Sequence, residues 1–162
     1  MLTAVGLAGV AALVVSTFTN ILEIKVLTTA ELAKPPEDLA QTGWDRHSVA
    51  PLVLAGFALV MIAGAVLRGA RPAILSIAAV GIATLAIGIF DDANHIHDTG
   101  QVGELYEDAR ADPAIGFYLE TLGGALLLIC GGGLLVLSGA RSAEPERREE
   151  SAPSADPENW FA

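Results

Sequence analysis

Scarcity defines this chain first. It holds a single cysteine, Cys130. No intramolecular disulfide can form, and the paired cysteines of a secreted scaffold or a zinc ribbon are missing. Cys130 lies in an apolar run and reads as a buried small hydrophobe. Bases are also few: nine Lys and Arg stand against nineteen Asp and Glu, for a formal net charge of −10. That sign disfavours nucleic acid, whose recognition needs the opposite one. No G-x-S-x-G, H-E-x-x-H, phosphate-binding loop or dinucleotide fingerprint occurs. The one glycine triplet, Gly131–Gly133, sits inside an apolar run and is explained by helix packing. No internal repeat is present, and 162 residues make one domain on the usual length prior.

The most informative absence is that of charge from long stretches. Pro51–Leu67 and Pro72–Phe90 carry none, and the short link Arg68-Gly69-Ala70-Arg71 joins them. About twenty apolar residues span a hydrocarbon core, and a charge at a helix centre costs about 2.5–3.5 kcal/mol on insertion scales. The pair therefore reads as a transmembrane hairpin. The two arginines place its link in the cytoplasm by the positive-inside rule. Leu2–Leu22 is a third apolar run. It lacks a preceding base and a following small-residue cleavage site, so it reads as a retained signal-anchor helix. The fourth run is Phe117–Leu137. The spans are thus about 2–22, 51–67, 72–90 and 117–137, with both termini cytoplasmic in a multi-pass cell-membrane protein. Residues 139–162 are rich in Arg, Glu, Pro and Ser and read as a disordered acidic tail that closes on Trp160-Phe161. The fold class expected is all-α: an integral membrane four-helix bundle with a short amphipathic outer helix.

Within the spans, small residues mark packing faces. Ala4, Ala8, Ala12, Ser16 and Asn20 recur every fourth residue, and Glu23 continues that face. Gly81, Thr84, Gly88 and Asp91 share another, and Glu120, Gly123, Gly124, Leu127 and Gly131 a third. The first outer loop, 27–50, has capping-box spacing at Thr28 and Glu31, a stop at Pro35-Pro36, Trp44 at headgroup level and Ser48 as a cap for the next helix. In the second outer loop, 91–117, Val102, Leu105, Tyr106 and Ala109 fall at helical spacing, and Asp112-Pro113 breaks that amphipathic piece.

Charge collects at the outer level. Residues 91–120 hold eight acids and Arg110. Glu23, Asp91 and Glu120 come from the ends of three different spans. His95, His97 and Asp98 follow Asp91 directly, while Asp45, Arg46 and His47 precede the second span. If the third span continues by a turn, Asp91 and His95 form an i, i+4 pair, and His with carboxylate suits zinc or another divalent first-row metal. The candidate metal ligands are Asp91, His95, His97, Glu120 and Glu23. The same groups also admit ion or headgroup recognition, and plain pairing of Glu23 and Glu120 with Lys25, Arg46 or Arg110.

Gly43-Trp44 in a first outer loop, between four spans with inside termini, resembles the layout of claudin-type tetraspan proteins, without the cysteines of their first loop. Gly116-Phe117-Tyr118-Leu119-Glu120, opening a Gly-rich last span, is similar to small four-helix inner-membrane proteins of actinobacterial type. The likeness covers most of residues 1–140 and implies a bacterial inner membrane. The function expected is that of a non-enzymatic accessory or assembly protein acting through helix packing and an acidic outer surface. Its partners would be the lipid bilayer and another membrane protein or a second copy. The alternative is a metal- or ion-binding component of a small transporter.

Overall fold

The computed structural model describes residues 1–26, 40–92, 99 and 109–150, with the backbone alone at Val26, at Asp92 and over 141–150. It is mostly helical, with one small sheet. Helix α1 is Leu2–Phe18 and strand β1 Asn20–Val26. Strand β2 is Ala40–Thr42, followed by the short helix α2, Gly43–His47. Helices α3, Ala50–Arg68, and α4, Arg71–Ala86, form a hairpin. The last turn of α4 widens into a π-helical turn, Ile87–Asp92. Strand β3 is Ala109–Pro113, and α5 runs from Ile115 to Glu150. Three of these helices, α3, α4 with its π turn, and α5 to Ala140, are long and apolar enough to cross a membrane; α1 is apolar but shorter, at 17 residues.

The hairpin link behaves as its residues dictate. Arg68 ends α3, and Gly69 takes φ 59°, the left-handed conformation that glycine enters without a Cβ clash, while its N–H closes on Ala65 O at 3.0 Å. Pro51 and Pro72 each sit in the first turn of their helix, where a missing N–H costs nothing. Ser48 does not cap α3. It ends α2 with φ 53°, and Val49 takes the cap position without a side-chain bond.

Helix α5 packs against both α1 and α4, and α3 closes the other side against the same two. Glycine sets the distances. A Cβ added at Gly81 would lie 2.5 Å from Leu128 N and 2.8 Å from Gly124 O, and one at Gly131 would lie 2.5 Å from Ala78 N. At Gly9 and Gly123, each would sit 3.0 Å from the other's carbonyl oxygen. Backbones therefore touch along both seams of α5. The core between them is Leu13, Ala55, Ala58, Ile62, Ile77, Val80, Leu127 and Cys130. The faces expected on the third and fourth spans are the buried ones at Gly81 and Thr84 of α4 and Gly88 of its π turn, and at Glu120, Gly123, Gly124, Leu127 and Gly131 of α5, while Asp91, expected on the first of them, is exposed. The face expected on α1 is not. Ala4, Ala8 and Asn20 are exposed and Ala12 is half-buried; Ser16 alone of that face is buried, beside Gly6, Gly9, Leu13 and Thr17. Glycine beats alanine here because only glycine lets Cys130 and the α5 backbone come so near.

The sheet corrects the all-α expectation. Helix α1 stops at Phe18, and Thr19 turns into extended backbone. Strand β1 then lies antiparallel between β2 and β3. Glu23 stands opposite both Ala40 and Asp112, so it continues no helix face. Residues 109–113 are strand rather than the end of an amphipathic helix, whose other residues lie outside those described, as do Thr28, Glu31, Pro35 and Pro36. At the other end, the backbone of α5 stays helical past Ser138 to Glu150, where a disordered tail was expected to begin at 139. Ala, Glu and Arg, strong helix formers, dominate that stretch and let the span run on. Residues 151–162 lie outside those described.

Backbone contact at Gly81 makes a sharp prediction. Gly81→Ala should destabilise the folded chain by about 1–3 kcal/mol or more, because backbone must move to admit the methyl. Gly56→Ala, with nothing within 4 Å of its Cβ, should change stability by no more than about 0.5 kcal/mol. Detergent-titration unfolding of both variants against the parent chain measures the contrast.

Candidate functional site

Helix α2 is five residues long, yet it is firmly built. The Thr42 hydroxyl accepts from Asp45 N at 3.2 Å and donates to Asp45 Oδ2 at 2.6 Å, while Thr42 N donates to Asp45 Oδ2 at 3.2 Å. This capping box holds the Asp45 carboxyl below its ordinary range, the side-chain bond from Thr42 being the larger cause and the backbone bond the second. A carboxylate whose pKa is lowered by folding adds stability above its unfolded value and loses it as pH falls through the folded one. Loosening of α2 by this route therefore belongs to acid below the normal aspartate range. The helix is seated on α1: a Cβ at Gly43 would lie 2.7 Å from Ser16 O and 2.9 Å from Thr17 Cα, and Gly43 N donates to Thr19 O at 3.1 Å. Trp44 stacks on Phe18, rings 6.5 Å apart and 10° from parallel.

So fixed, α2 points its last turn at the ends of α4 and α5. Arg46 Nε lies 3.8 Å from Asp91 Oδ2, and its Nη2 donates to Asp91 O at 3.3 Å. His47 stands between two acids. Its Nδ1 is 3.7 Å from Asp91 Oδ2, and its Nε2 is 4.0 Å from Glu120 Oε2. Exposure falls steadily along this line: the side chain of Asp91 is 50% exposed, that of His47 8% and that of Glu120 2%.

Glu120 owes its depth to α5. A Cβ added at Gly116, one turn earlier, would lie 2.7 Å from Asn20 O, and one at Gly123, on the same face, 2.9 Å from Leu13 Cγ of α1. One at Gly124, the next turn on, would lie 3.1 Å from Thr84 Cβ. Thr84 is itself buried, and among the described residues its hydroxyl has no hydrogen-bond partner. A buried carboxylate is costly without polar neighbours, and the His47 imidazole is one of those it has. A second set of ion pairs lies on the sheet, where Lys25 and Arg110 reach Asp112 at 3.2 and 3.1 Å. These are exposed and contribute little.

Of the residues singled out from sequence, Asp91 and Glu120 are brought together, through His47. Glu23 is exposed on β1. His95 and His97 lie outside the described residues. Among the described residues, no group of three or more His, Cys, Asp or Glu is placed to hold a metal ion. His47 stands between Asp91 and Glu120. Its signal in the sequence was its place immediately before the second span, level with Asp91 and Glu120.

Removing His47 should expose the cost of burying Glu120. His47→Ala should destabilise the fold by about 0.5–3 kcal/mol, since it empties a buried position between Asp91 and Glu120. Adding Glu120→Leu to that variant should recover much of the loss. Arg46→Ala, whose partner Asp91 is half exposed, should cost about 1 kcal/mol or less. Unfolding midpoints of the four chains, measured near pH 6, give the comparison.

No protein-family model, curated protein or solved structure matches this chain.

Proposed function

We propose that the chain is a four-span integral membrane protein serving as a non-enzymatic accessory or assembly component, with the cap formed by the sheet and α2 as its recognition surface. The carrying observation is the division of labour in the fold. The helices spend their small residues on one another, down to backbone contact at Gly81, Gly123 and Gly131, whereas the polar chemistry gathers at one end. In this reading α1, about 26 Å long at 1.5 Å per residue, completes a bundle with the three longer helices. Phe18 and Trp44, both exposed, mark the outer headgroup layer. Arg68 and Arg71 at the opposite end set the cytoplasmic side, and both termini share it. The setting implied by the likeness of Gly116–Glu120 is a bacterial inner membrane.

The lipid-facing surface under this reading includes Val53, Phe57 and Val60 of α3, all exposed. The recognition surface includes Ala40 and Gln41 of β2, also exposed. Two measurements separate them. In a Cys130→Ala background, Gln41→Cys should react with a membrane-impermeant maleimide on intact cells, and Ala70→Cys only after permeabilisation; the reverse pattern would invert the topology. A photo-crosslinking residue at position 41 should give a discrete protein adduct, and the same residue at position 60 lipid adducts. A protein adduct at 60 and none at 41 would move recognition from the cap to the helices.

A further inference from the structure

We propose that the seam between α4 and α5 binds an internal water molecule, held by the Thr84 hydroxyl and seated in the room that Gly88 leaves. Thr84 carries the inference. It is 1% exposed, and among the described residues its hydroxyl makes no hydrogen bond. A threonine inside a helix can turn its hydroxyl back to the carbonyl four residues earlier. Thr17 and Thr121 do so, each at 2.9 Å. Thr84 does not. A buried hydroxyl without a partner costs its full desolvation, so a polar occupant beside it is stabilising.

Gly88 supplies the space. It is buried in the π-helical turn that ends α4, yet it differs from the other glycines of this seam. A Cβ at Gly81 or at Gly131 would stand 2.5 Å from backbone nitrogen. One at Gly88 would meet, beyond its own helix backbone, a single atom within 4 Å among the described residues: Thr121 Oγ1 at 3.5 Å. That is ordinary van der Waals distance, so close approach of the helices does not call for glycine here. Space for a methyl group is space for about one water.

Polar groups border this space on both helices. Thr84 lies at the level of Gly124, and Gly88 faces Thr121, three residues before it. Thr84 and Gly88 are four apart, which sets their Cβ positions about 5–6 Å from each other. One water at O–H···O lengths of about 2.7–2.8 Å bridges such a gap. The Thr121 hydroxyl donates its hydrogen to Phe117 O and keeps lone pairs to accept. Where α4 widens, Ala83 O and Thr84 O share the single N–H of Ile87 and retain acceptor capacity. The water accepts from Thr84 Oγ1 and donates to Thr121 Oγ1 and to a carbonyl oxygen of that turn. About three bonds are usual for a buried water. This goes beyond the assembly reading and rests on no part of it.

The test is the sign of one substitution in two backgrounds, read as the unfolding midpoint of the full chain in detergent. Thr84→Val removes the hydroxyl and keeps the shape. If a water holds the hydroxyl, a hydrogen bond is lost and the midpoint falls; if nothing holds it, an unsatisfied group is removed and the midpoint rises. The expected result is a fall in the parent chain. In a Gly88→Ala background the methyl takes the place of the water, and Thr84→Val should then raise the midpoint. A rise in the parent chain, or the same sign in both backgrounds, would overturn the proposal. If a variant does not fold, the parent chain decides alone. In lipid bilayers, magnetisation transfer from water should reach Thr84 Cβ several-fold faster than the fully buried Ile77. Equal rates at the two residues would overturn it. So would a parent midpoint that rises when sodium replaces choline in the buffer, because the occupant would then be a cation.

Discussion

Everything in this structure depends on how closely α5 approaches its neighbours. Where Gly81 meets Gly124 and Leu128, and where Gly9 meets Gly123, no side chain separates the helices. Close approach gains dispersion contacts and excludes alternatives in which a Cβ would intervene. It also carries Glu120 inward. That residue lies one turn above Gly123 and Gly124 on the same face, so seating the glycines buries the carboxylate whether or not it is satisfied. The rest of that end of the molecule can be understood as the answer to that consequence. Helix α2 is capped, wedged by Gly43 onto the end of α1, and aimed so that His47 reaches Glu120.

The two kinds of interaction have different tolerances. Packing at glycine is geometric and insensitive to pH or salt. The cluster above it is electrostatic. Its outer member, the Arg46–Asp91 pair, is half in water and weak. Its inner member, His47 beside Glu120 at 4.0 Å, is shielded from water.

Much of this was legible in the sequence, for identifiable reasons. Charge-free runs and their basic link show where the long helices begin and end, and the spacing of Gly81, Thr84 and Gly88 and of Glu120, Gly123 and Gly124 picks out the buried faces. On α1 the regular alanine ladder was a stronger pattern than Gly6 and Gly9, yet the looser glycine pair is the face that packs. The sheet was hidden by continuity. Ile21 and Leu22 extend the apolar run of α1, although Leu22-Glu23-Ile24-Lys25-Val26 alternates as a strand does. Strand β3, Ala-Arg-Ala-Asp-Pro, has no strand signal of its own and exists because β1 pairs with it. The site was half legible. Asp91 and Glu120 were visible as acids on packing faces. Which base would meet them depended on the path of a loop ending in α2, and only the fold shows that His47, rather than Lys25 or Arg110, arrives there.

The most direct test of this account is a through-space carbon–nitrogen correlation measurement on the chain in lipid bilayers, labelled at Gly81 and Leu128. The account predicts a contact between the two backbones, since a Cβ at Gly81 would lie 2.5 Å from Leu128 N. A folded sample without that contact would contradict it, and would separate the burial of Glu120 from the approach of α5.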